Sequence, residues 1–466
     1  MSDANYGEFI SSKHIRALKN GFDVCDSDIN QSLFDWQRAI VKWALKIGRA
    51  ALFEDCGLGK TLQQLEWASQ VCLHTGGNVL LLCPLAVQWQ TAREADKFGI
   101  STPVNVCESQ SDVNPGITIA NYEKLHHFDT ASFVGVVLDE SSVLKSYTGK
   151  TKRALVEQFC ETRFKLACTA TPAPNDRMEL GNHSEFLGVM PSNEMLARWF
   201  VNAGDKVGSY RLRKHGEDNF WRWVASWAVC ISSPDDIGFD GSKYALPPLS
   251  VHEHVVDCKV PAGFLFQPSE AISATNVHRE KRAALEERAI EVATLVNGDS
   301  DFWAVWCDTD YEADALLKLI PDAVEVRGSH PTKTKEDRLR MFSDGECRVI
   351  ITKAEVGGFG LNWQHCHKTT WFAGYSYERW YQAIRRLWRF GQTNPVEAHV
   401  VRTDREDSIV EAVRRKQQQH QEMQREMSGR MKDGMMEELG IGKTLRAYSP
   451  SKTVIIPSWL KTKVGG

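Results

Sequence analysis

The chain has 466 residues, too many for one ordinary hydrophobic core, and this length fits two main domains with additions. Its 42% hydrophobic and 25% charged residues are typical of globular proteins, and no apolar run approaches the roughly 18–20 residues that span a bilayer. The twelve cysteines form no CxxC pair, and the N-terminus lacks the apolar stretch of a signal peptide. We therefore expect a cytoplasmic protein without membrane contact. The formal net charge of −4 gives no hint of a nucleic-acid partner, although a local basic groove is compatible with it.

The first 188 residues are predicted to form an arm and a first α/β lobe. Residues 1–30 are polar with little periodicity, and we interpret them as an N-terminal arm. From residue 31 to residue 188, short apolar runs alternate with helical patterns, which indicates a parallel sheet covered by helices. The predicted strands of this series are residues 50–53, 79–83, 117–120, 134–138 and 164–168. Polar clusters follow these runs, where ligands of such sheets bind.

Residues 189–290 break the alternation and are predicted to form a mostly helical insertion or linker. The segment carries Trp221, Trp223 and Trp227 next to Arg222. Such residues can stack on an unpaired base or wedge a duplex. The spacing of Trp223 and Trp227, four residues apart, favours instead a small aromatic core.

A second alternating series indicates a second lobe over residues 291–405. Its predicted strands are residues 302–306, 323–326, 349–351, 370–372 and 398–401. Residues 406–466 are predicted to form a C-terminal helix and tail. This tail and the tryptophan-rich insertion are the two candidate surfaces for a protein partner.

A glycine-rich loop between the first predicted strand and a helix is the strongest local signal. Gly57 and Gly59 would let backbone N–H groups face phosphate oxygens, while Lys60 reaches the β- and γ-phosphates and the Thr61 hydroxyl ligates Mg²⁺. The full pattern has a glycine where this chain has Glu54, so a purely structural glycine turn is the alternative.

Two carboxylates follow the apolar run that ends at Leu138. Asp139 would hold Mg²⁺, mainly through water, and Glu140 would orient the attacking water. The alternative is a solvated acidic turn.

Two arginines, Arg386 and Arg389, stand three residues apart and share one face of a predicted helix. Guanidinium groups aimed at a phosphoryl group neutralise the charge that develops during its transfer. A basic helix face in water, or one bound to phosphodiester, is the alternative.

These segments occur in an order that resembles superfamily 2 helicases, and within them the Swi2/Snf2-like ATPases, short bacterial and viral members included. The matching segments are residues 34–37, 55–61, 82–85, 121–123, 139–142, 168–172, 357–362 and 382–392. The resemblance covers roughly residues 33–188 and 300–403. One departure is the Ser141-Ser142 pair, where the family usually has a small residue and histidine, and it leaves the coupling role of that position open.

The resemblance implies an α/β fold of two RecA-like parallel-sheet lobes in tandem, ATP and Mg²⁺ as cofactors, and Gln37 as the reader of the adenine edge. It also implies two further sets of residues. Those that couple hydrolysis to movement would be Thr169, Thr171, Gly358 and Gln382. Those that contact nucleic acid would be Pro84, Asn121, Gly360 and Asn362.

The function that these segments indicate is an ATP-dependent motor that translocates on DNA. Residues 389–392, which end the last matching segment, favour duplex DNA. A strand-separating helicase on single-stranded DNA or RNA, and the motor subunit of a larger DNA-processing complex, are alternatives. A scaffold with a silent ATPase fold is disfavoured by the intact Lys60, Glu140 and Arg386. The resemblance places the protein in the cytoplasm of a bacterial or virus-infected bacterial cell.

Overall fold

The computed structural model describes residues 16–145, 149–173, 176–202, 210–256, 282, 284–357, 362–372, 376–403 and 406–441. The strands are β1 Arg49–Glu54, β2 Asn78–Cys83, β3 Val104–Val106, β4 Ile117–Asn121, β5 Phe133–Asp139, β6 Phe164–Thr169, β7 Phe200–Asn202, β8 Tyr210–Leu212, β9 Ala228–Ile231, β10 Leu249–Val256, β11 Trp303–Cys307, β12 Ala323–Val326, β13 Val349–Lys353, β14 Lys368–Phe372 and β15 Val396–Thr403. The helices are α1 Asp35–Ile47, α2 Lys60–Thr75, α3 Gln88–Phe98, α4 Lys150–Gln158, α5 Leu180–Leu187, α6 Ser192–Trp199, α7 Glu217–Ala225, α8 Leu285–Asn297, α9 Asp310–Leu319, α10 Thr332–Ser343, α11 Ala354–Gly357, α12 Tyr377–Leu387 and α13 Asp407–Glu438.

Two parallel sheets organise the molecule into two lobes. Sheet 1 has the strand order β3-β4-β2-β5-β6-β1-β9, and sheet 2 has the order β10-β15-β14-β11-β13-β12. All registered pairs in both sheets are parallel, as short apolar strands connected by helices require. The two-sheet α/β fold predicted from the sequence is confirmed, and the ten predicted strands correspond to β1, β2, β4, β5, β6 and β11–β15.

The segment predicted as a mostly helical insertion departs from that prediction at two strands. β9 pairs with β1 and forms one edge of sheet 1. β10 pairs with β15 along all eight of its residues and forms one edge of sheet 2. Because both strands complete a lobe, residue 188 does not end lobe 1 and residue 291 does not begin lobe 2.

Trp221, Trp223 and Trp227 are core residues of lobe 1. Trp221 and Trp223 are 1% exposed, and Trp227 is 0% exposed. Trp223 stacks on Trp199 with ring centroids 4.6 Å apart and meets Trp227 edge-on. The structure therefore supports the aromatic-core interpretation, since a wedge would need an exposed indole face.

The long helix α13 connects the two lobes. Its 32 residues span about 48 Å at 1.5 Å per residue. It begins just after β15 of sheet 2, and in its C-terminal half Met427, Met431 and Met435 are buried in the core of lobe 1. The predicted C-terminal helix is present, whereas the tail 442–466 lies outside the described residues.

The two described ends of the chain meet on lobe 1. Arg16 and Lys19, from the predicted N-terminal arm, form ion pairs with Glu437 and Glu438 at the end of α13. Within the described ranges no helix is both long and apolar enough to cross a membrane. The same residues hold no group of three or more His, Cys, Asp or Glu side chains arranged to bind a metal ion.

Candidate nucleotide site between the lobes

The glycine-rich loop connects β1 to the first turn of α2. Gly57 and Gly59 have φ values of 90° and 78°, in the left-handed region that glycine adopts without a steric penalty. The Lys60 ammonium donates hydrogen bonds to the carbonyl oxygens of Glu54 (2.6 Å) and Asp55 (3.0 Å), so it lies across the mouth of the loop. The loop opens a 16-residue helix, whose N-terminus favours an anion at this position.

Glu54, the last residue of β1, is not among the residues that line the cavity at this loop. Its side chain is fully buried, and Gln63 Nε2 donates to Glu54 Oε2 over 2.7 Å. Burial raises the pKa of Glu54 to about 7, against the opposing effects of Lys60 and Gln63. This side chain, where the common pattern has glycine, is therefore compatible with a phosphate-binding loop.

The predicted carboxylate pair lies at the end of β5 against α2. Gln64 Nε2 donates to Asp139 Oδ1 over 2.8 Å, and the Tyr122 hydroxyl donates to the Asp139 carbonyl oxygen over 2.7 Å. Burial raises the pKa of both Asp139 and Glu140, and the charge of Asp139 raises that of Glu140 further. Both carboxylates line a cavity, which argues against a simple solvated turn.

The backbone of Glu140 is strained. Its φ of 57° is the only positive value among the described non-glycine residues. The left-handed conformation costs an L-residue about 1–2 kcal/mol, and such strain clusters at functional sites. The Thr169 hydroxyl approaches Glu140 Oε2 at 3.4 Å, and the Thr171 N–H donates to Thr169 Oγ1 over 3.1 Å. The two threonines predicted to couple hydrolysis to movement thus adjoin the carboxylate predicted to orient water.

Lobe 2 places the two predicted arginines on the opposite wall of the same cavity. Arg386 lies in the last turn of α12, and Arg389 follows the helix. Burial and, after it, the neighbouring charge of Arg386 lower the pKa of Arg389 to about 10. The Glu94 carboxylate, on α3 of lobe 1, acts in the opposite direction.

A cavity of about 450 Å³ therefore brings the predicted catalytic, nucleotide-binding and metal-binding residues together. Both lobes contribute to it. The predicted residues among its lining are Gln37, Gly57, Gly59, Lys60, Thr61, Asp139, Glu140, Arg386 and Arg389.

An aromatic group at this cavity was not predicted from the sequence. Tyr244, between β9 and β10, stacks on Phe390 with ring centroids 4.8 Å apart and meets Phe34 edge-on. The Trp36 indole N–H donates to the Tyr244 hydroxyl over 3.0 Å. Tyr244 belongs to none of the motifs, and only its position between the two lobes could have drawn attention to it.

Gln37 ties the start of α1 to the glycine-rich loop. Its Oε1 accepts a hydrogen bond from the Phe34 N–H (2.9 Å), and its Nε2 donates to the Leu58 carbonyl oxygen (2.8 Å). Its recognition of adenine stays a prediction, and its place in the cavity wall is compatible with that role.

A second cavity, of about 430 Å³, lies between the lobes on the other side of Glu140. It is lined by Pro84 and Asn121, both predicted to contact nucleic acid, and by Lys145 and Lys335. The Asn121 side chain also caps a short 3₁₀ turn by accepting from the Lys124 N–H over 2.9 Å.

The remaining predicted residues fall elsewhere. Asn362, predicted to contact nucleic acid, lines the cavity of about 450 Å³, and its role stays a prediction. Gln382 is buried on α12 and lines a separate cavity of about 600 Å³, formed mainly by lobe 2 together with Lys145 of lobe 1. Gly358 and Gly360 lie outside the described residues.

Two parallel sheets thus surround one cavity, with the glycine-rich loop and the acidic pair on one lobe and the arginine pair on the other. No family model matches the chain. A solved structure, the Sulfolobus solfataricus SWI2/SNF2 ATPase core in complex with dsDNA, is similar with a TM-score of 0.40 and 17% identity, over 92% of this chain and 97% of that chain.

A curated relative is the DNA repair protein RAD5 of Yarrowia lipolytica (strain CLIB 122 / E 150). It is 25% identical in a 180-residue alignment that covers 31% of this chain. The match spans only 17% of the relative's own length.

Proposed function

We propose that the protein is an ATP-dependent motor that translocates on DNA, with duplex DNA as the favoured track. The observation that supports this most is the single cavity to which lobe 1 contributes Lys60 and Glu140 and lobe 2 contributes Arg386 and Arg389. A phosphoryl group held there would be gripped by both lobes. Its release after hydrolysis would loosen their closure, which is how such cores convert hydrolysis into movement.

The chemistry at the cavity follows from the side chains. Thr61 and Asp139 fit as Mg²⁺ ligands, since a hydroxyl and a carboxylate are the hard oxygen donors that Mg²⁺ prefers, and the ion would neutralise phosphate charge. Gln64 fixes the Asp139 carboxylate through a 2.8 Å hydrogen bond. The raised pKa of Glu140 makes it a better proton acceptor for the attacking water near neutral pH.

The second cavity is the proposed track for the nucleic-acid backbone. Its Lys145 and Lys335 come from different lobes and can contact one strand, while Glu123, Glu336 and Glu355 in the same lining oppose phosphate. Contacts of this kind position a backbone without reading its sequence, and they weaken as salt rises. The burial of Trp221, Trp223 and Trp227 removes the aromatic wedge that would have favoured strand separation.

Phosphate release from ATP tests the proposal. It is measured without nucleic acid and with single-stranded DNA, duplex DNA or RNA, for the wild type, for Lys60→Ala and for Lys42→Ala. Lys42 is a matched control, because it lies on the surface of lobe 1 and pairs with Asp26.

We expect stimulation by duplex DNA that Lys60→Ala abolishes and Lys42→Ala retains. A triplex-displacement assay would then show movement along the duplex. Stimulation only by single strands or RNA would support the strand-separating alternative. The absence of turnover with every nucleic acid would contradict an autonomous motor and leave a subunit that acts within a larger complex.

A further inference from the structure

Three side chains join the two lobes directly beside the nucleotide cavity. Arg385 Nη2 lies 2.9 Å from Asp55 Oδ2 and also donates to the Cys56 carbonyl oxygen over 2.7 Å. The Tyr381 hydroxyl donates to the other carboxylate oxygen of Asp55. Asp55 belongs to the glycine-rich loop of lobe 1, whereas Tyr381 and Arg385 lie on α12 of lobe 2. We call Asp55, Tyr381 and Arg385 the latch.

The latch is largely withdrawn from water. The side chains of Arg385 and Asp55 are 4% and 20% exposed. Arg385 packs over the rings of Tyr381 and Trp388, 5.9 Å and 5.2 Å from their centroids. Although burial opposes it, the Asp55 carboxylate raises the pKa of Arg385 above its ordinary value. Charge-assisted hydrogen bonds in such surroundings are stronger than exposed ion pairs, and loss of one partner leaves the other buried and uncompensated.

Because two of its residues lie on α12, the latch fixes both the direction of this helix and its distance from the glycine-rich loop. Tyr381 and Arg385 are four residues apart and so lie on one face of α12. Two contacts a turn apart restrain both the rotation and the tilt of a helix. Arg386 is the next residue along, so its direction depends on this restraint.

The bond to Cys56 also acts on the loop itself. In a trans peptide the carbonyl oxygen and the following N–H point to opposite sides. Because Arg385 holds the Cys56 carbonyl oxygen, it fixes the direction of the Gly57 N–H. This group belongs to the stretch of backbone predicted to face phosphate oxygens.

We propose that Asp55, Tyr381 and Arg385 are positioning residues that set α12 against the phosphate loop and so present Arg386 and Arg389 to the phosphoryl group. None of the three received a role from the sequence motifs. The inference rests on the proposed ATP hydrolysis, since positioning has a catalytic consequence only if the cavity turns ATP over.

The kinetic test uses Arg385→Met, Tyr381→Phe and the exchanged pair Asp55→Arg/Arg385→Asp, with Arg198→Met as the control. Arg198 is matched because its ion pair with Glu194 is exposed and lies within one helix. With duplex DNA we expect Arg385→Met to lower kcat by about tenfold to about a hundredfold, the effect of losing a charge-assisted hydrogen bond. We expect KM to change less than kcat, because the loop gains mobility but Lys60 and Thr61 remain on the first turn of α2.

Tyr381→Phe removes a single hydroxyl and should lower kcat in the same direction but less. The exchanged pair should recover part of the loss, which a merely structural defect would not do. An Arg385→Met protein as active as Arg198→Met, or an exchanged pair no more active than Arg385→Met, would overturn the proposal. If Arg385→Met fails to fold, Tyr381→Phe carries the test, and unchanged turnover in that variant has the same meaning.

Hydrogen exchange separates failure of this inference from failure of the proposed function. The backbone amides of residues 54–60 are followed in the full chain without nucleotide. Arg385→Met and Tyr381→Phe should speed their exchange, whereas Arg198→Met should not. If exchange quickens in a protein that hydrolyses no ATP, the latch stands and the proposed function fails. If exchange stays unchanged, the latch does not restrain the loop.

Discussion

The approach of the two lobes at Gly57 gives a prediction that separates lobe closure from folding. A Cβ atom on Gly57 would lie 2.8 Å from the backbone nitrogen of Phe390 and 3.2 Å from its Cβ. Ordinary van der Waals contact begins at 3.4 Å, so in Gly57→Ala lobe 2 must withdraw by about 0.6 Å or more. The obstacle at 2.8 Å is backbone, which cannot rotate away as a side-chain end can.

The effect on turnover follows from that displacement. Misplacement of reacting groups by about 1 Å can cost about a hundredfold in rate, and Arg386 and Arg389 move with Phe390. We therefore expect Gly57→Ala to lower kcat by about that factor. The substitution also forces alanine to a φ of 90°, and left-handed strain should cost about 1–2 kcal/mol of stability.

Gly76→Ala is the matched control. Gly76 also has a positive φ, 69°, but a Cβ atom added there would meet no other atom within 4 Å. Both variants should melt earlier than the wild type by a similar amount, and only Gly57→Ala should lose turnover. Phosphate release at saturating ATP and duplex DNA, with thermal unfolding of each protein, makes the comparison. If Gly57→Ala hydrolyses ATP as fast as Gly76→Ala, the hydrolysing state does not contain the observed approach of Phe390 to Gly57.

Two further predictions concern charges at the site. Arg386→Ala should reduce hydrolysis by about a thousandfold or more. ATP binding should persist, because the glycine-rich loop belongs to lobe 1. A normal rate of phosphate release, beside unchanged binding of a fluorescent nucleotide, would show that Arg386 is not the arginine finger. Burial raises the folded-state pKa of Glu54 from 4.5 to about 7, so ionisation is disfavoured in the folded state and the free energy of unfolding should fall as pH rises through that window. Between pH 5 and pH 8 the wild type should lose about 2–3 kcal/mol of unfolding free energy that Glu54→Gln, which stays neutral, does not lose. Denaturant titrations at the two pH values make the comparison, and equal losses in both proteins would contradict the raised pKa.

The strands that the sequence predicts differ physically from those it misses. The ten predicted strands are apolar runs ended by polar or turn residues, as buried parallel strands must be. β3 has only three half-buried residues. β10 mixes polar residues with apolar ones, so its sequence contains no clear apolar run. β9 is apolar but follows the aromatic helix α7 after only two residues, so its short run merges with the helical pattern.

At the site, too, the sequence predicts features that depend on neighbouring residues and misses contacts between residues far apart in the chain. The positions of Lys60 after a glycine-rich loop and of Glu140 after a strand could be predicted, because the sequence around each residue fixes them. The partnership of Asp55 with Arg385 joins residues far apart in the chain and has no sequence signature. Tyr244 reaches the cavity only because β9 and β10 belong to different lobes and the segment between them must cross the cleft.

The contacts between the lobes also differ in how readily they can break. Met427, Met431 and Met435 of α13 are buried in lobe 1, and full burial of each side chain is worth about 1.5–3 kcal/mol. Water cannot replace those apolar contacts, but water or phosphate oxygens can replace the partners of Arg385 and Tyr381 at the cleft. Opening between the lobes should therefore break the latch and leave α13 attached to lobe 1. α13 would then stay attached to lobe 1 while lobe 2 moves after phosphate is released.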